Sequence, residues 1–273
     1  MSFPVRIAVQ LQPGGVADYP TFRAAVISAE QAGADVIFGY DHFHRPAVES
    51  IVDHRPQLAA VQPDVNNFEG WTALASWGEI TQRAEIGLLV TGVGYRNPDL
   101  LADMARTVDH ISGGRLILGL GSGWYEKDYT TYGFDYGTTK SRLDLFDESL
   151  ERISRRLEVL LPQPLRHIPI LIGGAGEKRG LPAIARYADI WHSFPFPMDV
   201  YRHKSKLLDD LAAAAGRDGA AIERSVAWVD ERSSDAFVDA GVSLFTVELP
   251  PGPDGEYDFT PLERAIAWRS SVR

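Results

Sequence analysis

Apolar runs rich in β-branched residues recur along the chain, and each gives way to Gly or Asp and then to a stretch whose apolar positions repeat every three to four residues. The pattern predicts strands at 5–11, 36–40, 85–90, 116–120, 169–172, 189–193, 224–230 and 242–248, with a helix following each. The helix ends carry their own signals. Asp18 stands where the first helix needs an N-cap and Gly33 where it must stop, while Pro98 and Gly113-Gly114 bracket the third helix in the same way. The helix expected at about 141–161 carries Leu143, Phe146, Leu150, Ile153, Leu157 and Leu160 at helical spacing, and Pro162 and Pro164 end it.

Strands that are apolar on both faces and alternate with amphipathic helices require a parallel sheet covered by helices. Eight such units in about 250 residues predict an α/β fold, a closed (β/α)8 TIM barrel. The chain reads as a single domain, 1–273, with an extended loop at about 41–69 after the second strand. The runner-up, an open doubly wound sheet, lacks its usual G-x-G-x-x-G, because Gln12-Pro13-Gly14-Gly15 after the first strand has no third glycine.

Charge and composition remove whole classes of function. The 27 basic residues against 37 acidic ones give a net charge of −10, so the surface repels phosphate backbones and anionic lipid, and nucleic acid is not an expected partner. With no cysteine, disulfides, thiolate nucleophiles and cysteine-ligated metal sites are excluded, which fits a reducing compartment. The start, Met1-Ser2-Phe3-Pro4-Val5-Arg6, does not read as a signal peptide, and no apolar stretch reaches a membrane-spanning length, so a cytoplasmic protein without membrane association is expected.

In such a barrel the reacting groups sit at the C-terminal ends of strands. The richest end is Asp41-His42-Phe43-His44, where a histidine can act as general acid or base near neutral pH and the preceding Asp can hold its tautomer or contact a ligand. The spacing His42-x-His44 also resembles the paired-histidine start of metal-dependent amidohydrolase barrels, but among the later strand ends only His192 fits a further ligand, so no metal site is assigned. Gly173-Gly174-Ala175-Gly176, followed by Glu177-Lys178-Arg179, is a glycine loop opening a helix, where converging backbone N–H groups would bind a phosphate. Thr91-Gly92-Val93-Gly94 lets backbone approach a flat ligand closely, and Trp124, Tyr125, Tyr129 and Tyr132 supply aromatic surface for a pocket.

Taken in order, Asp41-His42-Phe43, the 68–74 segment FEGWTAL, the 87–93 segment GLLVTGV, the 113–124 segment GGRLILGLGSGW and the 168–179 segment IPILIGGAGEKR resemble the bacterial luciferase-like monooxygenase superfamily, and within it the F420-dependent oxidoreductase branch. The resemblance implies a barrel mouth that holds a flavin or 5-deazaflavin, with its phosphate tail toward the glycine loop. It implies that Asp41 contacts the ring, that His42 faces the substrate as proton donor or acceptor, and that Gly92-Val93 matches the family's non-proline cis peptide. Thr91, Gly92, Val93, Gly121 and Gly123 would bind cofactor, and Gly173, Gly174, Ala175 and Gly176 would cradle the phosphate.

Two positions depart from the sugar-phosphate dehydrogenases of that branch: Trp124 stands where they carry a catalytic glutamate, and Pro46 where they carry a tryptophan. Glu126 and Tyr129 are distant substitutes for the missing acid. The expected activity is hydride transfer between coenzyme F420 and a small organic substrate. FMN-dependent monooxygenation and non-catalytic cofactor binding are the alternatives. A homodimer is expected from the long apolar outer helices and from the resemblance.

Overall fold

A computed structural model of the chain describes residues 3–52 and 55–272. The strands are β1 (Arg6–Leu11), β2 (Val36–Gly39), β3 (Val48–Val52), β4 (Arg55–Leu58), β5 (Glu85–Leu88), β6 (Thr91–Gly92), β7 (Leu116–Gly121), β8 (Ile170–Gly173), β9 (Ile190–Ser193), β10 (Glu223–Ala227) and β11 (Val242–Leu249). The helices are α1 (Tyr19–Ala32), α2 (Gly70–Ile80), α3 (Pro98–Ser112), α4 (Glu126–Tyr132), α5 (Thr139–Val159), α6 (Gly180–Tyr187), α7 (Met198–Ala214), α8 (Glu231–Asp239) and α9 (Thr260–Arg269).

Eight of the strands pair in parallel in the order β5-β2-β1-β11-β10-β9-β8-β7, and β7 pairs back to β5, which closes the barrel. All eight predicted strands are present within a few residues of their expected ends. Capping follows the sequence signals: the Asp18 side chain accepts from Thr21 N at 2.8 Å, and Gly33 ends α1 at φ 106°, a left-handed conformation open to glycine.

The 41–69 segment is not a simple loop. It contains the antiparallel hairpin β3–β4, which stands apart from the barrel sheet. Two further pieces went unread: helix α4, and β6, a short resumption of the third strand that pairs Thr91 with Leu120 and Gly92 with Gly121. The break between β5 and β6 holds a non-proline cis peptide at Leu89–Val90. Gly92–Val93, where the resemblance puts that bond, is trans. The chain turns three residues earlier than the glycine pattern suggests.

Alternation along the strands separates two cores. Ile7, Val9 and Leu11 point outward under the helices, while Ala8 joins Val36, Phe38, Ile117, Leu171, Ile190 and Leu244 inside the barrel. Below this apolar layer, at the N-terminal ends of the strands, Arg6 bridges Glu85 at 2.6 Å and Glu223 at 2.5 Å, and Arg166 reaches Glu85 at 2.7 Å. The N-terminal end of the barrel is thus filled with paired charges. Burial acts against the Arg6 cation, but the two glutamates outweigh it and raise its pKa.

Candidate functional site

Above the apolar layer the barrel opens into a cavity of about 450 Å3, lined from the strand ends by Gln10, His42, Leu89, Val90, Gly92, Gly121, Gly173, His192 and Glu248 and roofed by Pro56, Trp124 and Phe194. A larger cleft of about 1060 Å3 at the opposite end of the barrel includes Asp209, Arg224 and Arg269. Its buried charges are already spent, because Arg224 pairs with Asp209 at 2.5 Å and Arg269 with Asp35. The C-terminal cavity is the one with polar capacity to spare.

His42 leaves the end of β2 and is fixed by a residue that sequence reasoning missed. Asp128 on α4 is fully buried, and its carboxylate takes five hydrogen bonds. His42 Nδ1 donates to Oδ2 at 2.7 Å and His44 Nδ1 to Oδ1 at 2.8 Å. The backbone N–H groups of Phe43 and His44 and the Tyr95 hydroxyl supply the rest. Burial opposes ionisation of Asp128, but these donors prevail and its pKa is lowered. An ionised carboxylate can only accept, so each imidazole presents an Nδ1 proton to it, and in the neutral form of His42 the lone pair is then on Nε2. Three rings enclose the imidazole edge-on: Tyr40, Trp124 and Tyr125, with centroids 5.5, 5.4 and 5.6 Å away.

Asp41 lies behind the wall rather than in it. Its carboxylate is bound by both terminal nitrogens of Arg96, at 2.5 and 3.0 Å, and Arg96 also reaches Glu69 Oε1 at 2.5 Å. Burial pushes the Asp41 carboxyl up to about 6, against the opposing pull of Arg96. Glu69 in turn caps α2, accepting from Thr72 N at 2.7 Å. The ion pair therefore ties the β2 end to α2 and to the turn before α3, and Asp41 positions the strand end that presents His42.

The glycines on the β5–β7–β8 side leave room for a flat group. A Cβ on Gly121 would stand 2.7 Å from Val90 Cγ2, and one on Gly119 would strike the Leu88 carbonyl at 1.9 Å. Val90 fills the space that a side chain on Gly121 would occupy, whereas a Cβ on Gly173 would meet it only in ordinary contact at 3.7 Å. Gly174, at φ 126°, would meet nothing within 4 Å, so its backbone is open to a ligand. Beside it, the backbone N–H groups of Ala175 and Gly176 have no partner among the described residues. A planar ring against Val90 and an anionic tail over the glycine loop fit this wall.

Of the other expected binding residues, Gly92, Gly121, Gly123, Gly173 and Gly174 line the cavity. Thr91 and Val93 are buried behind it, and Thr91 Oγ1 accepts from Trp71 Nε1 at 3.0 Å. Ala175 and Gly176 lie beyond the cavity wall, toward α6. Arg179 turns away to Asp144 and Asp147 on α5, leaving Lys178 as the loop's exposed cation. Neither Glu126 nor Tyr129 reaches the wall; burial pushes the Tyr129 hydroxyl up to about 12. His192 does reach it, with Nδ1 2.9 Å from Ser225 Oγ, and burial lowers its pKa to about 4, so it is neutral. Among the described residues no group of three or more His, Asp or Glu is arranged to hold a metal ion.

The chain belongs to the luciferase-like monooxygenase family, whose model matches residues 1–229. An uncharacterized protein of Mycobacterium tuberculosis is 30% identical over 216 residues, 73% of this chain and 76% of that one. The phthiodiolone/phenolphthiodiolone dimycocerosates ketoreductase of the same organism is 29% identical over 218 residues, 72% of this chain and 57% of the relative. Among solved structures, an F420-dependent secondary alcohol dehydrogenase in complex with an F420-acetone adduct superposes with a TM-score of 0.79 at 15% identity, covering 99% of this chain and 100% of that one. The oxygenating constituent of 3,6-diketocamphane monooxygenase from Pseudomonas putida, in complex with FMN, superposes at 0.61 with 15% identity, covering 82% of this chain and 67% of that one. At these identities the superpositions establish the barrel fold. No helix among the described residues is long and apolar enough to cross a membrane.

Proposed function

We propose that this chain is an F420-dependent oxidoreductase that transfers a hydride between the deazaflavin and a small organic carbonyl or alcohol. The observation that carries the reading is His42, whose Nδ1–H is fixed on Asp128 so that Nε2 is the free basic atom at the cavity wall. When bound, a deazaflavin supplies two-electron hydride chemistry and does not activate oxygen. The glycine wall and Val90 would orient its ring, and the unpartnered N–H groups of the glycine loop would hold its phosphate.

In alcohol oxidation the carbon loses hydride and the hydroxyl loses its proton. His42 Nε2 accepts that proton, and the resulting imidazolium is stabilised by the buried Asp128 carboxylate. In the reverse direction the same nitrogen returns the proton to the carbonyl oxygen. Pro56, Trp124 and Phe194 partly cover the cavity mouth. A non-catalytic binder has no need of a tautomer fixed by a buried carboxylate.

Parallel fluorescence titrations with F420 and FMN test the cofactor. Micromolar F420 affinity is expected, and FMN binding without F420 affinity would overturn the reading in favour of a flavin monooxygenase. His42→Ala is expected to retain cofactor binding and lose substrate-dependent turnover.

A further inference from the structure

The two halves of the cavity differ in chemistry. The β7 and β8 positions that face it are glycines, whereas the inward positions of β9, β10, β11 and β1 are His192, Ser225, Thr246, Glu248 and Gln10. This polar half is incompletely bonded. Thr246 Oγ1 is buried without a partner among the described residues. Gln10 spends its Nε2 on the Leu89 carbonyl at 2.7 Å, which leaves Oε1 uncommitted.

Glu248 is the sharpest case. It is the last inward residue of β11, in register with Gln10, and it lines the cavity. Among the described residues its carboxyl makes no hydrogen bond and no ion pair, and no Lys or Arg lines the cavity with it. The residue is exposed within the open cavity, so its carboxyl is satisfied by water alone, contributes nothing to the fold, and can exchange that water for a ligand. The surrounding cavity walls raise its pKa from the ordinary carboxylate value, with no cation facing it to oppose the shift, although the residue itself is open to solvent.

We propose that Glu248 is the specificity-determining residue of this cavity, accepting a hydrogen bond from neutral substrates that carry a donor and rejecting anionic ones. The proposal deepens the oxidoreductase reading and rests on it for the word substrate, but the charge preference is a property of the protein alone. A carboxylate or phosphate ester could enter the polar half only beside a like charge, or with uptake of a proton by Glu248. Either route weakens binding at alkaline pH.

The test uses the cofactor-free full chain at pH 8 and three isosteric pairs: isobutyramide with isobutyrate, cyclohexanecarboxamide with cyclohexanecarboxylate, and benzamide with benzoate. Affinities are read by NMR from the shift of the Trp124 indole resonance. At least tenfold tighter binding of the amides is expected in the wild type, shrinking to under threefold in Glu248→Gln, with Glu248→Met as the second uncharged variant should the first misfold. Equal affinity within the pairs, no binding of any amide, or a preference that survives loss of the charge overturns the proposal. F420 and FMN titrations of the same wild-type sample report separately on the oxidoreductase reading.

Discussion

His42 and Asp128, 86 positions apart in the chain, meet through a 2.7 Å hydrogen bond at the mouth of the barrel. The bond joins the end of β2 to α4, and the same carboxylate also holds His44 and Tyr95. A strand end, a short helix and the turn carrying Tyr95 are thus organised around one buried charge.

Asp128→Asn tests that role directly. An amide can donate or accept, so it no longer dictates which imidazole nitrogen carries the proton. Turnover is expected to fall roughly 10²-fold or more. The structural check is independent of activity: 15N NMR of His42 should report the Nδ1–H tautomer in the wild type and a mixture in the variant.

Arg96→Leu leaves Asp41 buried without its partner and should cost on the order of 3 kcal/mol in denaturant unfolding. The Asp41 carboxyl, held up to about 6 by burial with Arg96 pulling against it, should rise further and be followed by 13C NMR. Asp41→Asn in the same chain should recover part of the stability, since it removes the uncompensated charge.

His192 makes stability depend on pH in a defined window. Its folded pKa of about 4 lies below the ordinary 6.5, so between these values the unfolded chain binds the proton and the folded one does not. Stability is therefore full above about pH 6.5 and declines as the pH falls toward 4, by on the order of 3 kcal/mol at most. His192→Gln should flatten the unfolding free energy across that range.

Gly121→Ala places a methyl 2.7 Å from Val90 Cγ2, so Val90 must move into the cavity. Cofactor affinity should drop about tenfold, with a smaller effect on the melting temperature, and Val90→Ala in the same chain should restore binding. Gly119→Ala meets the Leu88 carbonyl, which is backbone and cannot yield, and should prevent stable folding.

The barrel was legible because its signals are local and repeated. An apolar run such as Leu116–Gly121, buried at every position, has no other reading than an interior strand, and Asp18 and Gly33 mark the helix between β1 and β2. The hairpin was not legible, since 48–58 mixes Val48 and Leu58 with Glu49, Ser50, Pro56 and Gln57 and lacks a two-residue glycine turn. For the site, His42 and the glycine wall announced themselves at strand ends. Asp128, Arg96 and Glu248 did not: each is an ordinary charged residue whose meaning comes from what the fold sets beside it. Glu69 stood within a quoted motif, yet its bond to Arg96 spans 27 residues and leaves no trace in spacing. The cis bond was misplaced for the opposite reason, as Gly92 attracted an assignment that belongs to Leu89–Val90.

The Arg6–Glu85–Glu223 plug gives the protein a dead end. With the far end stoppered by paired charges and the middle packed with Ile117, Leu171 and Leu244, every molecule that uses the cavity must come and go by one doorway. Two guests sharing such a room would have to use the same mouth, and the closed far end offers neither of them a second exit.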